Sequence, residues 1–268
     1  MSDDQKVVDA LDEEWQSIDK LCDGLTEAEW KTETECPGWS VQDNVAHLIG
    51  IESVIMGRPP PDHTPPDLPH VKNDIGKSNE VWVDARRARP GPEVLDEFRA
   101  VARERIDTLR GMSDDDFSAE SWTPAGPGTV RDLLPFRIFD SWAHEQDMRR
   151  ALSKPGHLDG PAAELSLGRL TGALPFVVGK KVKPPDGATV VFDWDGNTTA
   201  ITMDGGRAKP LDPAPTNPTV RLTMDTDTLV RLGMGRGDSA KMLAAGKVGF
   251  DGDEELGRRI AGEMNFLF

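Results

Sequence analysis

The sequence predicts an α+β protein, with an N-terminal four-helix bundle over residues 1–156 and a smaller α+β domain over residues 157–268. Two observations carry that division. Before Ser153-Lys154-Pro155-Gly156, apolar residues recur three and four apart over long stretches, as along one face of a helix. After it, short β-like runs bounded by turn residues alternate with short helical ones, the pattern of a separate mixed domain.

The first helix is expected from about Asp4 to Cys22, where Val7, Val8, Leu11, Trp15, Ile18 and Leu21 form one apolar stripe. Pro37 and Gly38 break the chain, and Ser40 with Asp43 has the spacing of a capping box. The helix that follows, VQDNVAHLIGIESVIM, carries His47 near its middle. The next segment, GRPPPDHTPPDLPH, holds six prolines and cannot be a helix interior or a central strand. A third helix reads from Pro92 to Arg110 through Val94, Leu95, Phe98, Val101, Ile106 and Leu109. The segment TPAGPG reads as a turn, and Thr129 with Asp132 is a second capping box. The fourth helix, VRDLLPFRIFDSWAHEQDMRRAL, runs to about Leu152. In the second domain a helix is expected across AELSLGRLTGALPFVV. Strands follow at ATVVFDW, at TAITMD after the turn Asp195-Gly196-Asn197, and at TVRLTM. Helices from Thr226 to Met234 and around Ala240, a strand at KVGF and a helix from Asp253 complete it.

Composition excludes several classes. The formal net charge is -16, and nucleic-acid binding depends on Lys and Arg displacing counterions from phosphates, so a nucleic-acid partner is not expected. Adjacent Arg149 and Arg150 at a helix end complement the helix dipole. No apolar stretch is long enough to span a membrane, and the acidic start MSDDQKVVDALDEEW lacks the features of a secretory signal. A cytoplasmic location is expected. Two cysteines, Cys22 and Cys36, supply no disulfide framework; Cys36, ahead of Pro37 and Gly38, is a candidate reactive thiol with no sequence sign of activation.

The chemistry is expected around His47, Asp140 and His144. Asp140 and His144, four apart, share one helix face, and His47 lies mid-helix among Val45, Leu48 and Ile51. If the two helices pack, one carboxylate and two imidazoles converge and leave coordination positions open, as in a catalytic metal site. The same residues also read as a hydrogen-bonded core histidine and an ordinary helical pair. Glu145 and Asp147 are competing carboxylates that point partly away from that face.

The segments ECPGWSVQDNVAHLIGIE and FRIFDSWAHEQDMRRAL resemble the mycothiol-dependent maleylpyruvate isomerase family, actinobacterial proteins built on a DinB-like four-helix bundle. The closing stretch LVRLGMGRGDSAKMLAAGKVGFDGDEELGRRIAGEMN resembles that family's C-terminal domain, which is sterol-carrier-like. The resemblance implies a divalent metal, typically zinc, held by His47, Asp140 and His144, and mycothiol as the cofactor whose thiol the metal activates. It further implies transfer of that thiol to a small-molecule electrophile, or isomerisation of the electrophile. The family pattern has Glu where this chain has Asp140, one methylene shorter. Arg236, after Gly235, matches a recurrent Gly-Arg of the family and is a candidate to grip a carboxylate of substrate or thiol. Trp142, with Trp39, is a candidate wall of the cofactor pocket. His63 and His70 in the proline-rich segment are candidates to close over the site or to supply another ligand, but are expected to be solvated. Two other readings stay open: a metal-dependent hydrolase on the same scaffold, and a non-catalytic small-molecule binder or sensor.

Overall fold

In the computed structural model, which describes residues 2–266, helices α1, α3, α4 and α7 each begin at a side chain that satisfies a free amide. Ser2 caps α1 (Asp3–Cys22) by accepting from the Gln5 amide. A short α2 (Glu27–Trp30) is followed by α3 (Val41–Ile55), where Ser40 and Asp43 form the expected capping box. Helix α4 (Asp74–Arg87) follows the proline-rich segment, and α5 (Gly91–Arg110) begins beside Pro92. After α6 (Asp114–Phe117), strands β1 (Glu120–Thr123) and β2 (Gly126–Thr129) pair antiparallel. TPAGPG is therefore the tip and second strand of a hairpin and not only a turn. Thr129 and Asp132 form the second capping box, at the head of α7 (Val130–Ala151).

Helices α1, α3, α5 and α7 make the bundle. Val8, Leu11 and Ile18 from α1, Val45, Leu48 and Ile49 from α3, Val94 and Phe98 from α5, and Leu134, Ile138 and Met148 from α7 share one core. Full burial of each such side chain is worth about 1.5–3 kcal/mol. Helix α4 was not expected from the sequence. Its buried residues are Glu80, Trp82, Val83 and Arg86, two of them charged, so no apolar period marks it.

Two compact units divide the chain between Ser166 and Leu167, inside α8 (Pro161–Gly172), whereas the sequence pattern breaks just ahead of that helix. The second unit continues with α9 (Leu174–Phe176) and a π-helical turn, Val177–Val182. Its sheet runs β5-β4-β3-β6-β7, built from β3 (Thr189–Trp194), β4 (Asn197–Asp204), β5 (Arg207–Pro210), β6 (Val220–Met224) and β7 (Gly249–Gly252). The pair β3 and β6 is parallel and the others are antiparallel. Trp194 pairs with Asn197, so Asp195 and Gly196 are the whole turn, both with positive φ as a two-residue hairpin requires. Helices α10 (Thr226–Gly233), α11 (Ser239–Ala244) and α12 (Glu254–Gly262), the last capped by Asp253, complete the unit. Strand β5, RAKP, is a polar edge strand without alternation, and the sequence pattern does not reveal it. Val190, Phe192, Ile201, Leu222, Leu232 and Ile260 lie in this unit's own core. Among the described residues no helix is long and apolar enough to cross a membrane.

Candidate metal centre

Helix α3 packs on α7, and this brings His47 to Asp140 and His144. Nε2 of His47 lies 3.2 Å from Oδ2 of Asp140, and Nε2 of His144 lies 3.7 Å from Oδ1. One donor atom from each of the three lies within 4.8 Å of the others. Donors around a tetrahedral zinc sit about 2.0–2.2 Å from the ion, hence about 3.3–3.6 Å from one another. The separations at Asp140 are close to that, so the shorter carboxylate still reaches both imidazoles. Both histidines are buried, while the Asp140 side chain is 31% exposed and forms the open side.

The surroundings fix the donors. The Asn44 amide nitrogen donates to the Ser40 carbonyl at 2.8 Å and to the Thr34 hydroxyl at 3.2 Å. Its Oδ1 therefore accepts from Nδ1 of His144, at 2.6 Å. That bond places the proton on Nδ1 and leaves Nε2 as a lone pair aimed at the cluster. Arg137 donates to Asp140 at 2.9 Å. Burial opposes charge on Asp140, but Arg137, His47 and His144 outweigh it and hold the carboxyl well below its ordinary range. The donor set thus suits a divalent first-row metal: two imidazoles and one carboxylate, with Asn44 behind His144 and Arg137 behind Asp140. We expect Asn44→Ala to weaken zinc affinity about 10- to 100-fold, measured by chelator competition, with the helix start intact because Ser40 and Asp43 still cap it.

Trp39 forms the wall of this centre, its ring 5.0 Å from His47 and 5.5 Å from His144. Trp142 is not brought to it. Two positions from both Asp140 and His144, it leaves the helix about 200° away, and its buried indole donates to the His157 carbonyl at 2.8 Å. Glu145 also leaves the cluster, accepting from Ser17 and Arg149. Cys36 comes closer than the sequence suggested, since its sulfur lies within 4.8 Å of donor atoms of His144 and Asp147. Arg236 is half-buried in the turn after α10, in the second unit.

Of the two loop histidines His63 is exposed, as expected, whereas the His70 side chain is largely buried. His63 Nε2 donates to Asp84 at 2.7 Å and His70 Nε2 to Glu80 at 3.2 Å, both on α4. Glu80 also accepts from the Trp39 indole at 3.1 Å, so the proline-rich segment is tied to the wall of the centre. Gly38 allows this. Its φ is +78°, and a Cβ there would lie 2.2 Å from the His70 ring. Beside His47 lies a cavity of about 120 Å³ lined mainly by Gly50, Ile51, Val54, Ile75 and Trp82. A larger groove, about 210 Å³, lies between α1 and α5, shares no residue with the centre, and has Arg99 and Arg110 paired to aspartates.

Comparisons with known proteins agree with this architecture. Residues 11–149 match the family described as mycothiol maleylpyruvate isomerase N-terminal domain, and residues 166–264 match the SCP-2 sterol transfer family. A crystal structure of mycothiol-dependent maleylpyruvate isomerase, in a variant with one histidine replaced by alanine, aligns with a TM-score of 0.55 at 16% identity over 93% of each chain. A second crystal structure of mycothiol-dependent maleylpyruvate isomerase aligns with a TM-score of 0.53 at 16% identity, covering 88% of this chain and 90% of the other. At such identity the likeness is one of fold. No curated protein matches the chain by sequence.

Proposed function

The chain belongs to the mycothiol maleylpyruvate isomerase family, and from that premise we propose that it is an isomerase acting on a small electrophile with mycothiol as its thiol cofactor. The observation that carries the reading is the convergence of His47, Asp140 and His144, with the His144 tautomer set by Asn44. These three residues would hold a divalent metal, zinc by its affinity for mixed nitrogen and carboxylate donors. A metal so held lowers the pKa of a bound thiol and makes the thiolate available near neutral pH.

The remaining residues prepare the site for that nucleophile. Arg137 keeps Asp140 ionised and oriented. Trp39, itself held by Glu80, keeps water from one side of the two imidazoles. The apolar cavity next to His47 offers room for a small electrophile beside the cluster. Thiolate addition to an electron-poor double bond, rotation about the resulting single bond and loss of the thiolate would give isomerisation without net use of thiol. A transferase would consume one thiol per turnover.

The test is to incubate the purified protein with maleylpyruvate, with and without mycothiol, while following both substrate geometry and free thiol. We expect turnover only with thiol present and no thiol loss. Steady thiol consumption would move the reading to a transferase. Cleavage of the substrate by water without any thiol would replace it with the hydrolase reading, for which the residues of the centre would hold a metal that activates water.

A further inference from the structure

The interior of the bundle holds a second cluster of metal-ligating side chains. Glu14 of α1 and Glu145 of α7 are each 0% exposed, and they face His157, in the segment between α7 and α8. One donor atom from each lies within 4.8 Å of the others. Nδ1 of His157 is 2.6 Å from Oε2 of Glu145 and 3.5 Å from Oε2 of Glu14.

The two carboxylates are treated very differently by their surroundings. Oε1 of Glu145 accepts from the Ser17 hydroxyl at 2.5 Å and from Arg149 at 2.8 and 3.0 Å. Neither oxygen of Glu14 has a hydrogen-bond partner, although the residue is sealed from solvent. A buried carboxyl left bare costs several kcal/mol or more, so a ligand for it is expected. A proton shared with Glu145 would satisfy one Glu14 oxygen and leave the other bare. A cation among the three groups would serve as partner to all of them.

We propose that Glu14, Glu145 and His157 form a second divalent-metal site in the bundle, separate from the one at His47, Asp140 and His144. Two carboxylates and an imidazole select a first-row ion such as zinc over calcium or magnesium, which favour all-oxygen shells. Outer contacts that orient a metal ligand are present for the Glu145 carboxylate, and the His157 backbone is held in place. Ser17 and Arg149 hold Glu145, while Trp142 and Gln146 donate to the His157 carbonyl at 2.8 and 3.2 Å. This gives Trp142 a place in the second site. The His157 side chain, 12% exposed, is the side from which an ion would enter. An ion here would tie α1, α7 and the segment after α7 together, a structural role.

Zinc content per chain separates the two sites. The full-length protein, loaded with zinc and dialysed, is compared with His144→Ala, Glu14→Gln and the double variant. Elemental analysis is expected to find about one zinc per chain in His144→Ala and almost none in the double variant. Two results overturn the proposal: a zinc-free His144→Ala variant under zinc excess, or a double variant that holds as much zinc as His144→Ala alone. The first of these would identify Glu14 and Glu145 as a pair that only shares a proton. If Glu14→Gln fails to fold, His157→Gln in the His144→Ala background replaces it, with loss of zinc expected and retention overturning the site.

Discussion

Replacing His144 by alanine is expected to remove the metal from the first cluster and to lower thiol-dependent turnover roughly a thousandfold. The magnitude corresponds to several kcal/mol of lost nucleophile activation, since a free thiol is mostly protonated near neutral pH. The fold should survive. Loss of the buried hydrogen bond between His144 and Asn44 costs about 1–2 kcal/mol. Metal content, turnover and thermal melting measured together distinguish this from simple unfolding. Asp140 allows a finer comparison. Asp140→Asn keeps the shape but removes the charge that faces His47, His144 and Arg137, and should behave like His144→Ala. Asp140→Glu restores the residue of the family pattern and should retain metal. If His144→Ala keeps full activity with mycothiol, the catalytic reading of this cluster fails.

The α+β class and the bundle are legible in the sequence because the apolar period is strong in α1 and α5, while α3 and α7, buried nearly all round and so weakly periodic, are marked by their capping boxes. Ser40 with Asp43 and Thr129 with Asp132 mark the starts of those helices, α3 and α7, which carry the cluster. What escapes is what tertiary packing decides. Glu80 and Arg86 turn inward on α4 because Trp39, His70 and Glu97 meet them there, and an inward charge reads in sequence as a solvated face. Strand β5 lies at a sheet edge, and only Ala208 of its four residues packs on the core, too few to show alternation. The tautomer-setting Asn44 had a local signal: it lies three residues before His47 on the same helix and so near the same face. Trp142 had one too, since a residue two positions from both ligands cannot share their side of a helix. The pairing of Glu14 with Glu145 and His157 had none. It depends on the register of α1 against α7, which no spacing within either helix encodes.

Glu52 is where loss of a charge should damage stability most. It lies on α3 between two buried guanidiniums, 2.6 Å from Arg137 and 3.3 Å from Arg105, which are 5% and 4% exposed. A carboxylate serving two buried cations cannot be removed without leaving one or both uncompensated. Glu52→Gln should therefore cost about 3–5 kcal/mol, or roughly 10 °C in the melting temperature of the N-terminal unit. The two arginines are not equivalent. Arg137 also pairs with Asp140, whereas Arg105 has only Glu52 among its resolved ion pairs. Arg105→Met leaves Glu52 still paired with Arg137 and removes one of two like charges, so it should cost distinctly less than Glu52→Gln. Arg137→Met should cost stability and also release Asp140 from its 2.9 Å partner, weakening metal retention as well. Equal destabilisation by Glu52→Gln and Arg105→Met in thermal melts would contradict the shared-counterion arrangement. Loss of metal retention in Arg105→Met but not in Arg137→Met would contradict the path from Glu52 through Arg137 to the ligand.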